Sequence, residues 1–444
     1  MRWRYATSAS ALMAGGLLLA VGAPGAAVSA STTNSSSIVY QVHPIARFAF
    51  DAMSPAVFPS PSKCVSLYGL ACYTPSEIRT AYDVPSSLTG AGQTIVIIDA
   101  YGSPTIRQDL AVFDQEFGLP APTLNIIYPG GKPSFNPNSA NEVGWAEETS
   151  LDVQWSHAIA PAATIDLVVA SSNSGNALNN AEQYAVSNHL GNVMSMSFGA
   201  PEAAIAGGGN NLQLMQAHQI YQQATAQGMS VFASAGDSGA ANGYATTNPL
   251  YPASDPLVTG VGGTDLFMSN SGHYQSETVW NDSDPSLCPF GCTAGVFGAS
   301  GGAPSSVFQA PSYQAGDGSG FAMRTTADVA YNASVYTAVM VYLGFLGPNS
   351  GFYFFGGTSE GSPQWAAITA LADEAVGHGL GALNPLLYRI AGNSKEYGRD
   401  FHDVTVGNNA FFGPGYNAGT GYDLPTGLGS PNVANLITSL VAGQ

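Results

Sequence analysis

The chain has 444 residues, of which 45% are hydrophobic and 9% are charged, so it has enough apolar material to form a sizeable folded core. Its formal net charge at pH 7 is −18, with 11 Lys and Arg residues against 29 Asp and Glu residues. Because nucleic-acid binding depends on basic side chains that neutralise phosphates, this balance argues against nucleic acid as a partner.

Residues 1–30 have the pattern of a secretory signal peptide. Arg2 and Arg4 form a positive region, an apolar stretch follows, and the small residues that end at Ala30 are typical of a cleavage site. A membrane anchor is the alternative, but Pro24 interrupts the apolar run. We therefore expect a secreted monomer that has no stable membrane insertion after cleavage.

Residues 31–72 are rich in Ser, Pro and small residues and show little periodic pattern. This composition predicts an extended N-terminal arm or a short pro-segment ahead of one large domain, residues 73–444.

Four cysteines are present: Cys64, Cys72, Cys288 and Cys292. In an exported protein, two local disulfides, Cys64–Cys72 and Cys288–Cys292, are the simplest pairing. A four-thiolate zinc site is the alternative, although neither spacing resembles a zinc knuckle.

Apolar runs bounded by turn residues alternate with helical patterns along the chain. The strand-like runs are Thr94–Ala100, Thr164–Ala170, Asn192–Gly199 and Met229–Asp237, and the helical patterns are Asn141–Ala160 and Asn211–Gly228. The alternation predicts an α/β fold of three layers, in which helices flank a largely parallel central sheet. Sites in such sheets form at the carboxyl ends of the strands.

Residues 250–350 are rich in Gly, Ser and Asn, which predicts turns and hairpins. Within this region the run "VYTAVMVYLGFLG" is too short to span a bilayer, so we expect it to be a buried strand.

Glu148 and Asp152 stand four residues apart in a helical pattern, so both carboxyl groups lie on one helix face. If that face is desolvated, the two acids share a proton, and the pair can accept a hydroxyl proton in acid solution. A solvated acidic helix face is the alternative. His157, further along the same pattern, is a candidate base or an ordinary helix-end histidine.

Asp237 ends the apolar run Met229–Asp237, and Ser359 follows the glycine pair Gly356 and Gly357. Asp237 lies between Gly236 and Gly239, where a protonated carboxyl can donate to an oxyanion, although the same letters also fit a plain turn. Ser359 precedes a helical run with Pro363 in its first turn, a position that suits either a nucleophile at the positive helix end or a helix cap.

Together these segments resemble the sedolisins, the serine-carboxyl peptidases with a subtilisin-like fold. "GGTSEGSP" is similar to their Ser-Gly-Thr-Ser-x-x-x-Pro nucleophile motif, "EETSLD" to their Glu-x-x-x-Asp pair, and "SAGDSG" to the segment with their oxyanion aspartate. The segments "YTPSEIRTAYDVP", "SMSFG" and "SGGAPSSVFQAPSYQ" extend the resemblance over about residues 72–444.

The resemblance implies a secreted peptidase that acts on polypeptides in acid. It makes Ser359 the nucleophile, Glu148 the general base and acid, Asp152 its orienting partner and Asp237 the oxyanion donor. Asp99, near the end of the first apolar run, takes a supporting role at most.

The resemblance also implies one structural Ca²⁺ ion near the C-terminus. From the residues alone, "FHDVTVGNN" and "GTGYDLPTGLGSP" fit Gly-rich turns as well as a loop of oxygen ligands. The family site places side-chain ligands at Asp403 and Asp423, and main-chain ligands at Val404, Gly419 and Gly421.

Three features depart from the family pattern. Gly356 replaces the first serine of the nucleophile motif, Phe198 replaces a common tryptophan, and only about forty residues stand where a large propeptide is usual. These departures motivate a second hypothesis, a catalytically decayed binding or surface module. A histidine-dependent subtilisin relative is a third. The sequence leaves open whether the cleavage would be endopeptidase or tripeptidyl-peptidase action.

Overall fold

The computed structural model describes residues 39–41, 45–50, 58–206, 211–269, 271–288, 290–291 and 297–444. The predicted signal peptide, residues 1–30, and Cys292 lie outside the described residues.

The helices and strands of the described residues have the following bounds. The helices are α1 (Pro61–Tyr68), α2 (Pro75–Ala81), α3 (Ile106–Phe117), α4 (Ala140–Ile159), α5 (Gly175–Ser187), α6 (Glu202–Ala206), α7 (Leu212–Ala226), α8 (Gly361–Val376), α9 (Asn384–Ala391), α10 (Ser394–Asp400) and α11 (Val433–Ala442). The strands are β1 (Ile45–Phe50), β2 (Ala71–Tyr73), β3 (Thr94–Ala100), β4 (Thr123–Ile127), β5 (Thr164–Ala170), β6 (Val193–Met196), β7 (Ala200–Pro201), β8 (Ser230–Ser234), β9 (Leu250–Tyr251), β10 (Thr259–Met268), β11 (Tyr274–Val279), β12 (Pro304–Gln309), β13 (Met323–Thr325), β14 (Val329–Asn332), β15 (Thr337–Leu343), β16 (Gly351–Gly356), β17 (Phe401–His402) and β18 (Ser430–Pro431).

The larger sheet confirms the predicted, largely parallel arrangement. Its strands run in the order β11-β10-β8-β6-β3-β5-β4, and β14 pairs with β10. Every pair in this sheet is parallel except β10–β11. The four strands expected from the sequence, β3, β5, β6 and β8, lie side by side at its centre.

Both faces of this sheet are covered, as the side-chain alternation of β3 shows. Ile95 and Ile97 join the hydrophobic cluster that includes residues of α4 and α8. Val96 and Ile98, one residue out of phase, join the cluster that includes residues of α5 and α7. Since successive strand residues face opposite sides, helices pack on each side and the three-layer fold is confirmed.

A second sheet has the strand order β1-β16-β15-β2. Its strand β15 confirms the buried strand expected near residue 340, and the antiparallel pairs β10–β11 and β15–β16 are the expected hairpins. Within residues 31–72, which the sequence predicts to be an extended arm or a short pro-segment, Pro61–Tyr68 is helix α1. Ser60 caps this helix by accepting a hydrogen bond from the Lys63 amide, and Pro61 suits its first turn.

The Cys64–Cys72 disulfide is confirmed and joins α1 to β2. Cys288 is also disulfide-bonded. Among the described residues, no helix combines the length and the apolar character needed to cross a bilayer.

Candidate active site

Helix α4 presents two buried carboxyl groups, one turn apart, to the carboxyl-end edge of the central sheet. Glu148 and Asp152 both have no solvent exposure, so the alternative of a solvated acidic face is wrong. The helix begins where Ser139 accepts the Glu142 amide, and it packs against β3 and α8. The two carboxyl groups are therefore held in fixed positions on one packed helix.

Ser359 lies on the element that follows β16. It occupies a single 3-10 turn, Thr358–Glu360, that leads directly into α8. The Ser359 hydroxyl donates to the carbonyl of Ser197, just past β6, over 3.4 Å. Since it caps no helix amide among the described residues, the helix-cap alternative is not what the structure has.

The residue directly before the Ser359 turn, Gly357, has to be glycine. Gly357 has a φ of +127°, and a Cβ atom there would lie 2.7 Å from an Asp237 carboxyl oxygen. A side chain would therefore both strain the backbone and collide with the carboxyl group. The close approach of Gly357 is what brings Asp237 beside the serine turn.

Asp99, near the end of β3, is the third acid of this cluster. Burial raises the pKa of Asp99 to about 7. Burial, and then the charge of Asp99, raises the pKa of Asp152 well above its usual range. The Ser197 hydroxyl donates to Asp152 Oδ1 over 2.9 Å, and this hydrogen bond lowers the pKa of Asp152. Three mutually repelling acids thus share protons in one desolvated space.

Glu148 is the member of the cluster that faces the serine. Burial, followed by the charges of Asp152 and Asp99, raises its pKa well above the usual range, and the Ser359 hydroxyl lowers it. Neither Glu148 oxygen makes a hydrogen bond of good geometry to a described residue. The Ser359 hydroxyl is thus the group that favours the ionised form of Glu148, against burial and the two neighbouring acids.

Asp237 lies beyond the end of β8, and hydrogen bonds from the serine turn hold it in place. Its Oδ1 accepts hydrogen bonds from the Thr358 amide over 2.7 Å and the Thr358 hydroxyl over 2.6 Å. Burial raises the pKa of Asp237 to about 6, so its carboxyl group is protonated in acid. The plain-turn alternative does not account for a buried acid tied to the residue before Ser359.

His157 lies far along α4 from this cluster. Its Nε2 is 2.9 Å from the Pro120 carbonyl and 3.4 Å from a carboxyl oxygen of Asp114, and burial lowers its pKa. It is nine residues beyond Glu148, which corresponds to about 13 Å along a helix. His157 is thus a helix-end histidine and not a base for Ser359.

Ser197 is the site residue that the sequence analysis missed. Its carbonyl accepts from Ser359 and its hydroxyl donates to Asp152, so it links the serine to the acids. The signal that could have found it is its place directly after a central parallel strand, the edge where sites form.

The expected calcium ligands come together near the C-terminus. Asp403 accepts from the Gly421 amide at 3.0 and 3.2 Å, and Asp423 accepts from the Gly419 amide at 2.9 Å. Burial raises the pKa of Asp423 to about 6, and the charge of Asp403 adds to this rise. Neither carboxylate has an ion-pair partner within the described residues, so the two negative charges fit a cation.

This candidate site has two carboxylates, and no group of three or more His, Cys, Asp or Glu able to hold a metal occurs among the described residues. Calcium does not need such a group, because backbone carbonyls and waters supply many of its ligands. Val404 is buried next to Asp403. The glycines expected to offer carbonyl oxygens turn their amides toward the carboxylates.

Comparison with known proteins decides the family. Kumamolisin from Bacillus sp. (strain MN-32) is 33% identical over 390 residues, which is 83% of this chain and 64% of that protein. Sedolisin from Pseudomonas sp. (strain 101) is 32% identical over 378 residues, 82% of this chain and 60% of that protein. The solved structure of Pseudomonas sedolisin, a serine-carboxyl proteinase complexed with two molecules of pseudo-iodotyrostatin, matches with a TM-score of 0.73 and 30% identity, covering 84% of this chain and 99% of that one.

The chain belongs to the sedolisin family. Its predicted subtilisin-like fold is confirmed by the same structural match. No family model matches the chain. The chain spans 64% and 60% of the lengths of the two relatives named above.

Two departures from the sedolisin pattern have packing explanations. A Cβ atom at Gly356 would lie 2.6 Å from the Val335 amide, so a serine has no room there. Phe198 is buried between the rings of Trp145 and Tyr40, at centroid distances of 5.8 and 5.6 Å. Neither change removes a carboxyl group from the cluster.

Proposed function

We propose that this chain is an exported, acid-active serine-carboxyl peptidase that hydrolyses polypeptides through an acyl-enzyme on Ser359. The observation that carries the proposal is a buried serine hydroxyl that favours the ionised form of Glu148, a buried carboxyl group in a cluster of acids that has no ion-pair partner among the described residues. Membership of the sedolisin family supports it.

In the first step Ser359 Oγ attacks the carbonyl carbon of the scissile peptide. Its proton passes to Glu148, which is ionised in a fraction of the coupled cluster. Asp152 and Asp99 set that fraction, because their proximity raises the pKa of Glu148. Because the acids share protons, the cluster keeps an ionised fraction in acid solution, where imidazole is protonated.

The tetrahedral intermediate carries a negative oxygen that needs a donor. Protonated Asp237 supplies an O–H group, and its Oδ1 stays fixed by the two bonds from Thr358. A donor placed before the reaction costs no reorganisation when the charge develops. Above its pKa of about 6 the group is an anion and opposes that charge.

Collapse of the intermediate breaks the peptide C–N bond. Glu148 returns the proton to the leaving amine, and the acyl group stays on Ser359. A water then attacks the ester carbonyl while Glu148 takes its proton, and that proton goes back to Ser359 Oγ as the acid product leaves.

We also propose one structural Ca²⁺ ion at Asp403 and Asp423, with Val404, Gly419 and Gly421 as main-chain ligands. The support is the pair of carboxylates held to one turn without an ion-pair partner in the described part of the chain. The ion would offset their repulsion and fix the C-terminal loops.

The proposed function is tested with a mixed peptide library at pH 3–8. We expect cleavage in acid by the wild-type chain and none by Ser359→Ala. Cleavage that persists at the wild-type rate in Ser359→Ala would remove Ser359 from the chemistry. A folded wild-type chain that cleaves no peptide would instead favour the decayed binding module.

A further inference from the structure

The residue directly after the proposed nucleophile is a fully buried acid. Glu360 ends the 3-10 turn that carries Ser359, and its side chain has no solvent exposure. None of the ion pairs among the described residues includes Glu360. A Cβ atom at the next residue, Gly361, would lie 2.7 Å from Val261 Cγ1, so the turn is packed closely against β10. The carboxyl group of Glu360 is thus enclosed without an ion-pair partner in the described part of the chain.

Asn332, on β14, fixes one oxygen of this carboxyl group. The Asn332 side chain donates to Glu360 Oε1 over 2.9 Å and to the Thr337 carbonyl over 2.7 Å. Its own oxygen accepts from the Leu266 amide over 3.1 Å and from the Thr337 hydroxyl over 2.7 Å. Because a main-chain amide can only donate, the Leu266 bond settles which end of the Asn332 side chain is the oxygen. Glu360 Oε1 is therefore an acceptor, and both N–H groups of Asn332 are already used.

The second oxygen, Glu360 Oε2, lacks a donor. Within the described residues it makes no hydrogen bond of good geometry, and the buried Gln364 Oε1 makes none either. If Glu360 were ionised, both oxygens would be buried acceptors without donors, whereas a proton on Oε2 turns one of them into a donor. Burial raises the pKa of Glu360 well above its usual range, and the side chains of Asn332 and Gln364 lower it only in part.

A neighbouring buried acid, Glu277, has a different environment. It accepts hydrogen bonds from three hydroxyl groups, so it has the donors that a buried anion needs. The other titratable side chains in this space are the phenols Tyr73, Tyr82 and Tyr331 and the base Arg79. Burial raises the pKa of all three phenols, so they stay neutral. Arg79 donates to main-chain carbonyls at the end of α4.

The bond from Glu360 to β14 is one of two anchors on either side of the nucleophile. On the other side, Thr358 donates to Asp237 through its amide and its hydroxyl. Between these anchors the Ser359 main-chain carbonyl accepts a longer bond, of 3.4 Å, from the Ser197 hydroxyl. The direction of the Ser359 hydroxyl therefore depends on both anchors.

We propose that Glu360 is a positioning residue of the peptidase: as a neutral acid it ties the serine turn to β14 and so sets the direction of the Ser359 hydroxyl. The inference rests on the peptidase function proposed above. A displacement of a reacting atom by about 1 Å can lower the rate by about a hundredfold. The role needs an acceptor opposite Asn332 and the absence of a charge.

Two substitutions separate the acceptor from the charge. Glu360→Gln keeps an oxygen opposite Asn332 and is neutral at every pH, so we expect kcat and KM within about threefold of wild type at pH 4. Glu360→Ala removes the acceptor, and we expect kcat to fall about ten- to a hundredfold while KM stays nearly unchanged. Glu360→Gln as slow as Glu360→Ala, or Glu360→Ala as fast as wild type, would overturn the proposal.

Glu182→Ala is the matched control for lost stability. Glu182 is also a buried acid, 2% exposed, and lies on α5, across the central sheet from α8. Both alanine variants should lower Tm by several degrees, but only Glu360→Ala should lower kcat. An equal fall of kcat in both variants would overturn the positioning role. If the wild-type chain cleaves no peptide, the peptidase function itself fails, which is a different result from active wild type with an unimpaired Glu360→Ala.

Infrared difference spectroscopy tests the protonation state without turnover. The spectrum of Ser359→Ala minus that of Ser359→Ala with Glu360→Gln is recorded at pH 6, where a solvated glutamate with a pKa of ~4.3 is almost fully ionised. We expect the difference to contain the carbonyl band of a protonated carboxyl group. A carboxylate band in its place would overturn the neutral form of Glu360 and leave the peptidase function intact.

Discussion

A single substitution, Asp237→Asn, tests whether the site needs the neutral form of Asp237. In the wild-type chain Asp237 accepts two hydrogen bonds from Thr358, 2.7 and 2.6 Å long, and in Asp237→Asn the amide oxygen still accepts both. The amide nitrogen takes the place of the carboxyl oxygen beside Gly357. The asparagine is a neutral donor at every pH. The substitution thus keeps the geometry and removes one titration.

The size of the effect follows from the pKa of about 6 that burial gives Asp237. At pH 8 about 1% of wild-type molecules hold this proton, so kcat/KM should lie roughly a hundredfold below its acid plateau. Asp237→Asn should lose this alkaline limb and gain up to about a hundredfold in the ratio of kcat/KM at pH 8 to that at pH 4.

The assay is a pH series of kcat/KM on one fluorogenic peptide, with two comparison variants. Asp237→Ala has no donor and should lose about two to three orders of magnitude at pH 4. Asp83→Asn is the control, because Asp83 is exposed and its φ of +55° suits asparagine. An unchanged alkaline limb in Asp237→Asn would refute the role of the Asp237 proton.

Three further predictions concern the pH dependence of stability, the proposed Ca²⁺ ion and the rejected histidine base. Burial raises the pKa of Asp99 to about 7 and that of Asp373 to about 8. The stability that these two acids contribute is therefore present below pH 4 and is lost as the pH rises to 8. We expect Tm to fall over that range, and a Tm that rises would contradict this prediction. For Asp99 the loss in the free energy of unfolding is at most ~4 kcal/mol, because its pKa rises from 3.8 to about 7 and a tenfold change in proton affinity is worth ~1.4 kcal/mol. Removal of Ca²⁺ with a chelator should lower Tm in wild type but not in Asp403→Asn with Asp423→Asn, and equal melting curves would count against the ion. His157→Gln should lower Tm by a few degrees and leave the acid pH–rate profile unchanged; a profile that shifts would revive a histidine base.

The sequence predicted the parts of the fold that depend on local pattern. The bounds of β3 and β5 agree with the apolar runs, because a fully buried parallel strand is a continuous apolar stretch ended by turn residues. Helix α1 was missed, since eight residues with one buried side chain give no periodic signal. Its stability comes from its cap and from the Cys64–Cys72 disulfide.

For the site, the spacing of Glu148 and Asp152 placed the pair on one helix face, but spacing cannot show burial. The same letters describe a solvated face, and only the packing of α4 against the sheet and α8 makes the carboxyl groups functional candidates. Ser197 was missed for a related reason: its role depends on a backbone carbonyl, which every residue has.

The most direct measurement is the rate at which a reactive peptide substrate acylates the serine in Glu148→Gln. If a buried carboxylate accepts the hydroxyl proton, this isosteric change lowers kcat/KM at pH 4 by about a thousandfold or more. Tm at pH 4 stays level, because the amide replaces a carboxyl group that burial already keeps mostly protonated. Glu142→Gln, on the same helix and without a part in the cluster, should acylate within twofold of wild type. Glu148→Gln acylating within tenfold of wild type would contradict proton transfer to this carboxyl group.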